Sequence, residues 1–163
     1  MKKISLNEPY FFGNEKKYLT ECIKTNWVSG SGKFVKKFED GVAKFLNAKY
    51  ATGIINGTSS LDLALRVLGC EPNNEIIVPT LTFIAPVNSI IYNQCNPIFM
   101  DSNEYFNIDE KKLTKFINEE TYFKKGKTYN KKTNRVIFAI ILVHVWGNAV
   151  NLDQIVSKCK KRN

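Results

Sequence analysis

From Tyr50 onward the chain alternates short β-rich runs with helical patterns, and this alternation limits what its 163 residues can fold into more than any other feature. The runs predict strands over 50–55, 75–78, 97–101 and 135–144. The patterns between them predict helices over 59–68, closed by Gly69, and over 84–93, 109–118 and 152–161. Strand and helix in strict succession are packed by crossovers that bring each strand back parallel to the last, with helices on both faces of the sheet. The expected class is therefore α/β with a mainly parallel sheet over 50–163. Residues 1–49 read as a helical segment ahead of it. In NEKKYLTECIKTN, Tyr18, Leu19, Cys22 and Ile23 share one face, and in KFVKKFEDGVAKFLN, Phe34, Val35, Phe38, Val42, Phe45 and Leu46 do the same.

Hydrophobic residues make up 44% of the chain, enough for a real core in one domain-sized body. The longest apolar run, VIFAIILV at 136–143, is far too short to span a bilayer, so no membrane partner is expected. The opening MKKISLNEPYFFG has no apolar core of the kind a secretory leader needs, and a cytoplasmic location follows as the expectation. Cys22, Cys70, Cys95 and Cys159 are widely spaced and His144 is the only histidine, which supports neither a metal site nor a disulfide framework. The net charge of +9 is local. Residues 1–110 carry 11 Lys and Arg against 12 Asp and Glu, whereas residues 111–163 carry 13 against 3. Lysine dominates that excess and arginine is scarce, so a solvated, lysine-rich surface insertion over 118–134 is expected rather than a nucleic-acid interface.

In an open parallel sheet, ligands collect at the carboxyl ends of the strands. Those ends read NGTSS (56–60), PTLTF (79–83), DSNEY (101–105) and HVWGN (144–148). In NGTSS, Ser59 and Asp62 have the spacing of a capping box, and Gly57 with its hydroxyl neighbours Thr58 and Ser59 also suits an anion held at a helix start. Phe83 follows the next strand on the same rim. An anion site beside an exposed aromatic suits a flat, phosphorylated ring. Two nucleotide motifs fail: SGSGKF at 29–34 has Trp27 and Phe34 where a P-loop needs Gly and Ser or Thr, and Val35 stands where a dinucleotide fingerprint needs its third glycine. Asp62 and Asp101 are explained by capping and by a strand end. His144 is a candidate for the site or for a structural hydrogen bond.

Taken in order, WVSGSGKFVKKFE (27–39), NGTSSLDLALRVLG (56–69), EIIVPTLTFIAPVNSI (75–90), NPIFMDSNEYFNID (96–109) and ILVHVWGNAVNLDQI (141–155) resemble the DegT/DnrJ/EryC1/StrS family of pyridoxal-phosphate-dependent sugar aminotransferases. WVSGSG, PTLTFIA and the lysine-rich insertion are most similar to enzymes that aminate 4-keto-6-deoxy UDP-N-acetyl-hexosamines. The resemblance implies the N-terminal part of the fold-type I large domain, with pyridoxal 5'-phosphate as cofactor. It implies that Gly57, Thr58 and Ser59 hold the cofactor phosphate and that Phe83 stacks on its ring, with Trp27, Ser29 and His144 toward the substrate. It further implies a nucleotide-sugar substrate, an amino-acid amine donor and a homodimer. Members of the family are much longer and carry an acidic Glu-Asp-Ala-Ala-like motif and a catalytic lysine beyond the region matched here. No catalytic residue is therefore expected within these 163 residues, which read as an N-terminal fragment, inactive alone. The rival readings are a non-catalytic binding protein of the same fold and, less favoured, a basic nucleic-acid-binding domain.

Overall fold

The computed structural model describes residues 4–5, 7–160 and 162, in two compact units, Met1–Gly53 and Ile54–Asn163. In the first, α1 (Glu15–Lys24) and α2 (Lys33–Phe45) are joined by Tyr18 and Phe34, whose ring centroids lie 4.7 Å apart, and by an ion pair between Lys33 and Glu21. Gly32 caps α2 because nothing larger fits: a Cβ there would lie 2.5 Å from Cδ1 of Trp27.

The second unit begins with α3 (Gly57–Val67), followed by β1 (Glu75–Pro79), α4 (Ile84–Tyr92) and β2 (Asn96–Met100). There follow α5 (Glu110–Glu119), β3 (Thr121–Lys124), β4 (Lys127–Asn130), β5 (Val136–Ile140), a 3-10 turn at Val145–Gly147 and α6 (Leu152–Lys160). The strands form one sheet in the order β2-β1-β5-β4-β3, with β2, β1 and β5 parallel and β4 antiparallel to both its neighbours. β1 is buried along its whole length, as a central strand covered on both faces must be. Its side chains alternate between two cores. Ile77 packs with Met100, Ile108, Leu113, Ile117, Val150 and Ile155 on the α5 and α6 face. Ile76 and Val78 pack with Leu65, Ile90 and Cys95 on the α3 and α4 face.

The α/β class and the mostly parallel sheet are those expected from the sequence, and three local expectations are corrected. Residues 50–55 form no strand; a strand exists through its ladder, and this run meets no partner among the described residues. The predicted helix at 59–68 begins at Gly57, and the one at 152–161 is seen to Lys160, residue 161 lying outside the described residues. The largest correction concerns 118–134. Instead of a solvated insertion, it holds the β3–β4 hairpin that widens the sheet by two strands. Its two-residue turn, Lys125 and Gly126, has φ of 50° and 75°, the double left-handed conformation that matches strand twist in tight hairpins. Tyr122 and Tyr129 stack across the strands with centroids 5.2 Å apart.

The hairpin is fastened to the centre of the sheet by one buried polar contact. Nδ2 of Asn130 donates to Oε2 of Glu75 at 2.8 Å, and Glu75 is 3% exposed. Replacing Asn130 by Leu strips that carboxylate of its donor, and the expected loss is about 2–4 kcal/mol in urea unfolding. A loss under about 0.5 kcal/mol, the usual size of a surface change, would return the segment to a decorative loop.

Candidate functional site at the starts of two helices

Helix α3 is capped by Asn56, whose backbone is extended (φ −160°, ψ 167°) and whose Oδ1 accepts from the Ser59 N–H at 2.8 Å. This corrects the expected capping box: Ser59 lies inside the first turn, and Asp62 has other partners. Asp62 Oδ1 accepts from Arg66 Nε at 3.0 Å and from Asn93 Nδ2 at 2.8 Å, tying α3 to the end of α4. Asn served here as well as Ser because a short side-chain oxygen at the extended position reaches the same orphan N–H. With Ser59 N–H given to the cap and Ser60 N–H to the Asn56 carbonyl, the N–H groups of Gly57 and Thr58 find no partner among the described residues, nor do the Thr58 and Ser59 hydroxyls. The space before them is open, since a Cβ on Gly57 would meet nothing within 4 Å. Two outward N–H groups, two hydroxyls and the positive end of the helix dipole make a donor set for an anion with several oxygens.

Phe83 is the N-cap residue of α4 (φ −60°, ψ 160°), and its ring is 88% exposed. An aromatic ring held by a capped backbone yet packed on nothing is available to a ligand. Beside it, Oγ1 of Thr82 is buried without a partner. Both helices end at the amino end of β1 and β2: α3 leads through Gly69 and Cys70 into β1, α4 through Asn93 and Cys95 into β2, and the two sulfurs are 2.8 Å apart. Their starts, Gly57 and Phe83, therefore belong to the opposite, carboxyl end of the sheet. That is the rim on which the sequence placed them.

His144 is exposed at the same end, after β5, and has a structural partner. Its Nδ1 accepts from the Val150 N–H at 3.0 Å, which leaves the ring proton of the neutral imidazole on Nε2 and latches the 144–150 loop to the core through buried Val150. Within that loop Trp146 (φ 51°) meets Phe106 (φ 66°) edge-on at 4.9 Å, two bulky residues in left-handed backbone that no sequence pattern announced. Asp101 is taken by Lys112, 2.6 Å away, and this hydrogen bond raises the lysine above its ordinary pKa. Trp27 and Ser29 belong to the first unit. There the Trp27 Nε1–H donates to the Ser31 carbonyl at 3.2 Å, and Ser29 Oγ lies 3.4 Å from Ser31 Oγ, on the wall of a cavity of about 590 Å³ shared with Leu19 and Phe34. Among the described residues no group of three or more His, Cys, Asp or Glu is placed to hold a metal ion, and no helix is long and apolar enough to cross a membrane.

The model of the DegT/DnrJ/EryC1/StrS aminotransferase family matches residues 11–163. Over all 163 residues the chain is 39% identical to the GDP-perosamine synthase of Escherichia coli O157:H7, of which it covers 41%. It is 32% identical over 145 residues to the UDP-4-amino-4,6-dideoxy-N-acetyl-beta-L-altrosamine transaminase of Campylobacter jejuni, covering 35% of that protein and using 89% of its own length. Among solved structures, Helicobacter pylori PseC, an aminotransferase involved in the biosynthesis of pseudoaminic acid, superposes with a TM-score of 0.79 at 26% identity, over 99% of this chain and 39% of that one. The chain thus spans roughly two fifths of the length of the curated relatives it matches.

The capping geometry separates two neighbouring polar residues. Asn56→Ala is expected to cost about 1 kcal/mol of stability, whereas Ser59→Ala, which removes no cap, should stay within about 0.5 kcal/mol. Thermal melts in which Ser59→Ala is the more damaging would restore Ser59 as the cap.

Proposed function

The chain belongs to the DegT/DnrJ/EryC1/StrS aminotransferase family, and from that premise we propose that it forms the phosphate-holding and ring-stacking part of a pyridoxal-phosphate-dependent aminotransferase of nucleotide sugars. The observation that carries this reading is the first turn of α3, where two N–H groups and two hydroxyls are left to a ligand while Asn56 holds the turn in place. The donor set fits a phosphate monoester, and exposed Phe83 on the same rim fits the ring that such a phosphate would carry.

When bound, the cofactor would supply an aldehyde carbon able to carry the amino group and an electron-withdrawing ring that stabilises negative charge beside it. This chain's residues do the holding. The Gly57 and Thr58 N–H groups and the Thr58 and Ser59 hydroxyls take the phosphate oxygens, and the helix dipole adds to their attraction for negative charge. Phe83 covers one face of the ring and shields it from water. His144 acts by keeping the 144–150 loop in place, its Nδ1 accepting from the Val150 N–H. Trp27 and Ser29 are assigned to the substrate side. No residue of this chain is assigned the proton transfer, which in the family's pattern falls to an acid and a lysine in later motifs.

The substrate we favour is a 4-keto-6-deoxy UDP-N-acetyl-hexosamine, aminated in amino-sugar and surface-polysaccharide synthesis with an amino acid such as glutamate as donor, by a cytoplasmic homodimer. The resemblance of WVSGSG, PTLTFIA and the lysine-rich segment to enzymes of that kind, together with the 32% identity to a UDP-4-amino-4,6-dideoxy-N-acetyl-beta-L-altrosamine transaminase, supports the UDP-sugar reading. A GDP-linked 4-keto-6-deoxy sugar is the competing substrate, favoured by the 39% identity to a GDP-perosamine synthase. Amino transfer measured on both sugars with the longest protein that contains this chain decides between them, and the 163 residues alone are expected to give no turnover.

Two substitutions test the holding roles. Thr58→Val should weaken pyridoxal-phosphate binding by about 1–3 kcal/mol, read by absorbance titration; an unchanged affinity would remove Thr58 from the phosphate site. Phe83→Leu should alter the absorbance of the bound cofactor and leave the melting temperature within about 2 °C, because the ring is packed on nothing. An unaltered spectrum with a clear loss of melting temperature would make Phe83 a core residue.

A further inference from the structure

Two cysteines that the proposed reaction does not use are brought together by the way α3 and α4 end. After α3, the Gly69 N–H donates to the Arg66 carbonyl and the Cys70 N–H to the Leu65 carbonyl, each at 3.0 Å. After α4, the Gln94 N–H donates to the Ile91 carbonyl at 2.8 Å and the Cys95 N–H to the Ile90 carbonyl at 3.1 Å. Both are Schellman endings, with Gly69 (φ 86°) and Gln94 (φ 56°) as the left-handed residues. Cys70 and Cys95 thus occupy the same position after their respective helices, where a side chain turns back onto the helix it follows. Leu65 and Ile90, the residues they turn onto, lie in one core cluster with Cys95, and Cys70 packs against it. The helices are neighbours, so the two equivalent side chains converge until their sulfurs are 2.8 Å apart. Cys95 Sγ also lies 3.3 Å from the Glu71 carbonyl oxygen.

We propose that Cys70 and Cys95 are a redox-responsive dithiol, which a small disulfide oxidises to an intramolecular bond stapling the end of α3 to the entry of β2. Cys70 is half-buried and meets the oxidant; Cys95, 4% exposed, is the resolving thiol. In the first step Cys70, as thiolate, attacks one sulfur of the small disulfide, forming a mixed disulfide and expelling one small thiol. Cys95 then attacks Sγ of Cys70 and expels the second. One S–S bond breaks and one forms, the protein loses two electrons to the oxidant, and the two thiol protons leave on the two small thiols. Burial, followed by the contact with Cys95 and the charge of Glu71, pushes the Cys70 thiol up to about 12. The resting pair is therefore two thiols, and its exchange is slow. The backbone of both residues is already pinned by the helix endings, so closure needs only the side chains to adjust. The closed loop, residues 70–95, contains α4 and β1, and cross-linking it restricts the unfolded chain.

The sequence supplies a clean readout. No Lys or Arg lies between Arg66 and Lys111, so trypsin releases Cys70 and Cys95 on one peptide, 67–111, separate from Cys22 and Cys159. The protein is equilibrated with mixtures of oxidised and reduced glutathione, quenched in acid, alkylated and digested. The expected result is a 67–111 peptide lighter by two hydrogens and free of alkyl label, with a melting temperature raised by about 5 °C in wild type and unchanged in Cys95→Ala. A 67–111 peptide alkylated twice, or carrying glutathione on Cys70 with Cys95 alkylated, would overturn the proposal. So would a closed disulfide that leaves the melting temperature where it was.

Discussion

Three successive side chains, Ile76, Ile77 and Val78, are fully buried and alternate between the two faces of the sheet, so one short strand holds both hydrophobic cores together. Each such side chain is worth about 1.5–3 kcal/mol in burial, but the arrangement matters more than the sum. A strand covered on both faces has no solvent side on which to err, and a slip of one residue would exchange the contents of the two cores. Within the second unit, β2 and β5 pair with it on either side, and residues of α3, α4, α5 and α6 pack against its two faces. At its amino end Glu75 is admitted to the interior because Asn130 arrives from the hairpin with a donor.

The candidate site is a consequence of that centre. Helices α3 and α4 finish side by side at the amino end of the strands, so their first turns are delivered together to the carboxyl end. Each start was made available in a different way. At α3 the cap consumes one orphan N–H and leaves two facing outward, whereas at α4 the capping residue itself carries the exposed ring. Neither the open first turn nor the exposed aromatic needs a residue unusual in composition; both follow from where a helix begins relative to a buried strand.

How much of this could be read in the sequence differs from element to element. The helices at 84–92 and 110–119 were legible from apolar faces that end buried at Ile90, Leu113 and Ile117, and the strands at 75–79 and 96–100 from short apolar runs between helical patterns. The run at 50–55 has strand composition, yet composition cannot provide a partner, and none is present among the described residues. The hairpin was missed because its lysines hide the alternation; the usable signal was Thr-Tyr-Phe and Lys-Thr-Tyr bracketing Lys125-Gly126, a two-residue turn. At the site, the small residues of NGTSS and the position of Phe83 were readable, whereas the choice between Asn56 and Ser59 as cap was not, since either side chain can reach the first-turn N–H groups. His144 could be placed at the rim from the sequence, but its acceptance of the Val150 N–H depends on how the 144–150 loop folds back.

The same hairpin bears on whether another chain can extend the sheet edge to edge. A sheet in the order β2-β1-β5-β4-β3 has two outer strands, each with a row of backbone donors and acceptors that another chain could extend. At β2 the obstacle is Pro97, which has no N–H to offer. At β3 the obstacle is electrostatic: Lys124, Lys125 and Lys127 stand at the hairpin tip, and two copies meeting edge to edge would bring like charges together. The first guard is covalent and indifferent to solvent. The second weakens as salt shortens the reach of charge from about 10 Å at 0.1 M to about 3 Å at 1 M. Like charge at the hairpin tip thus opposes edge-to-edge pairing, independent of any anionic partner.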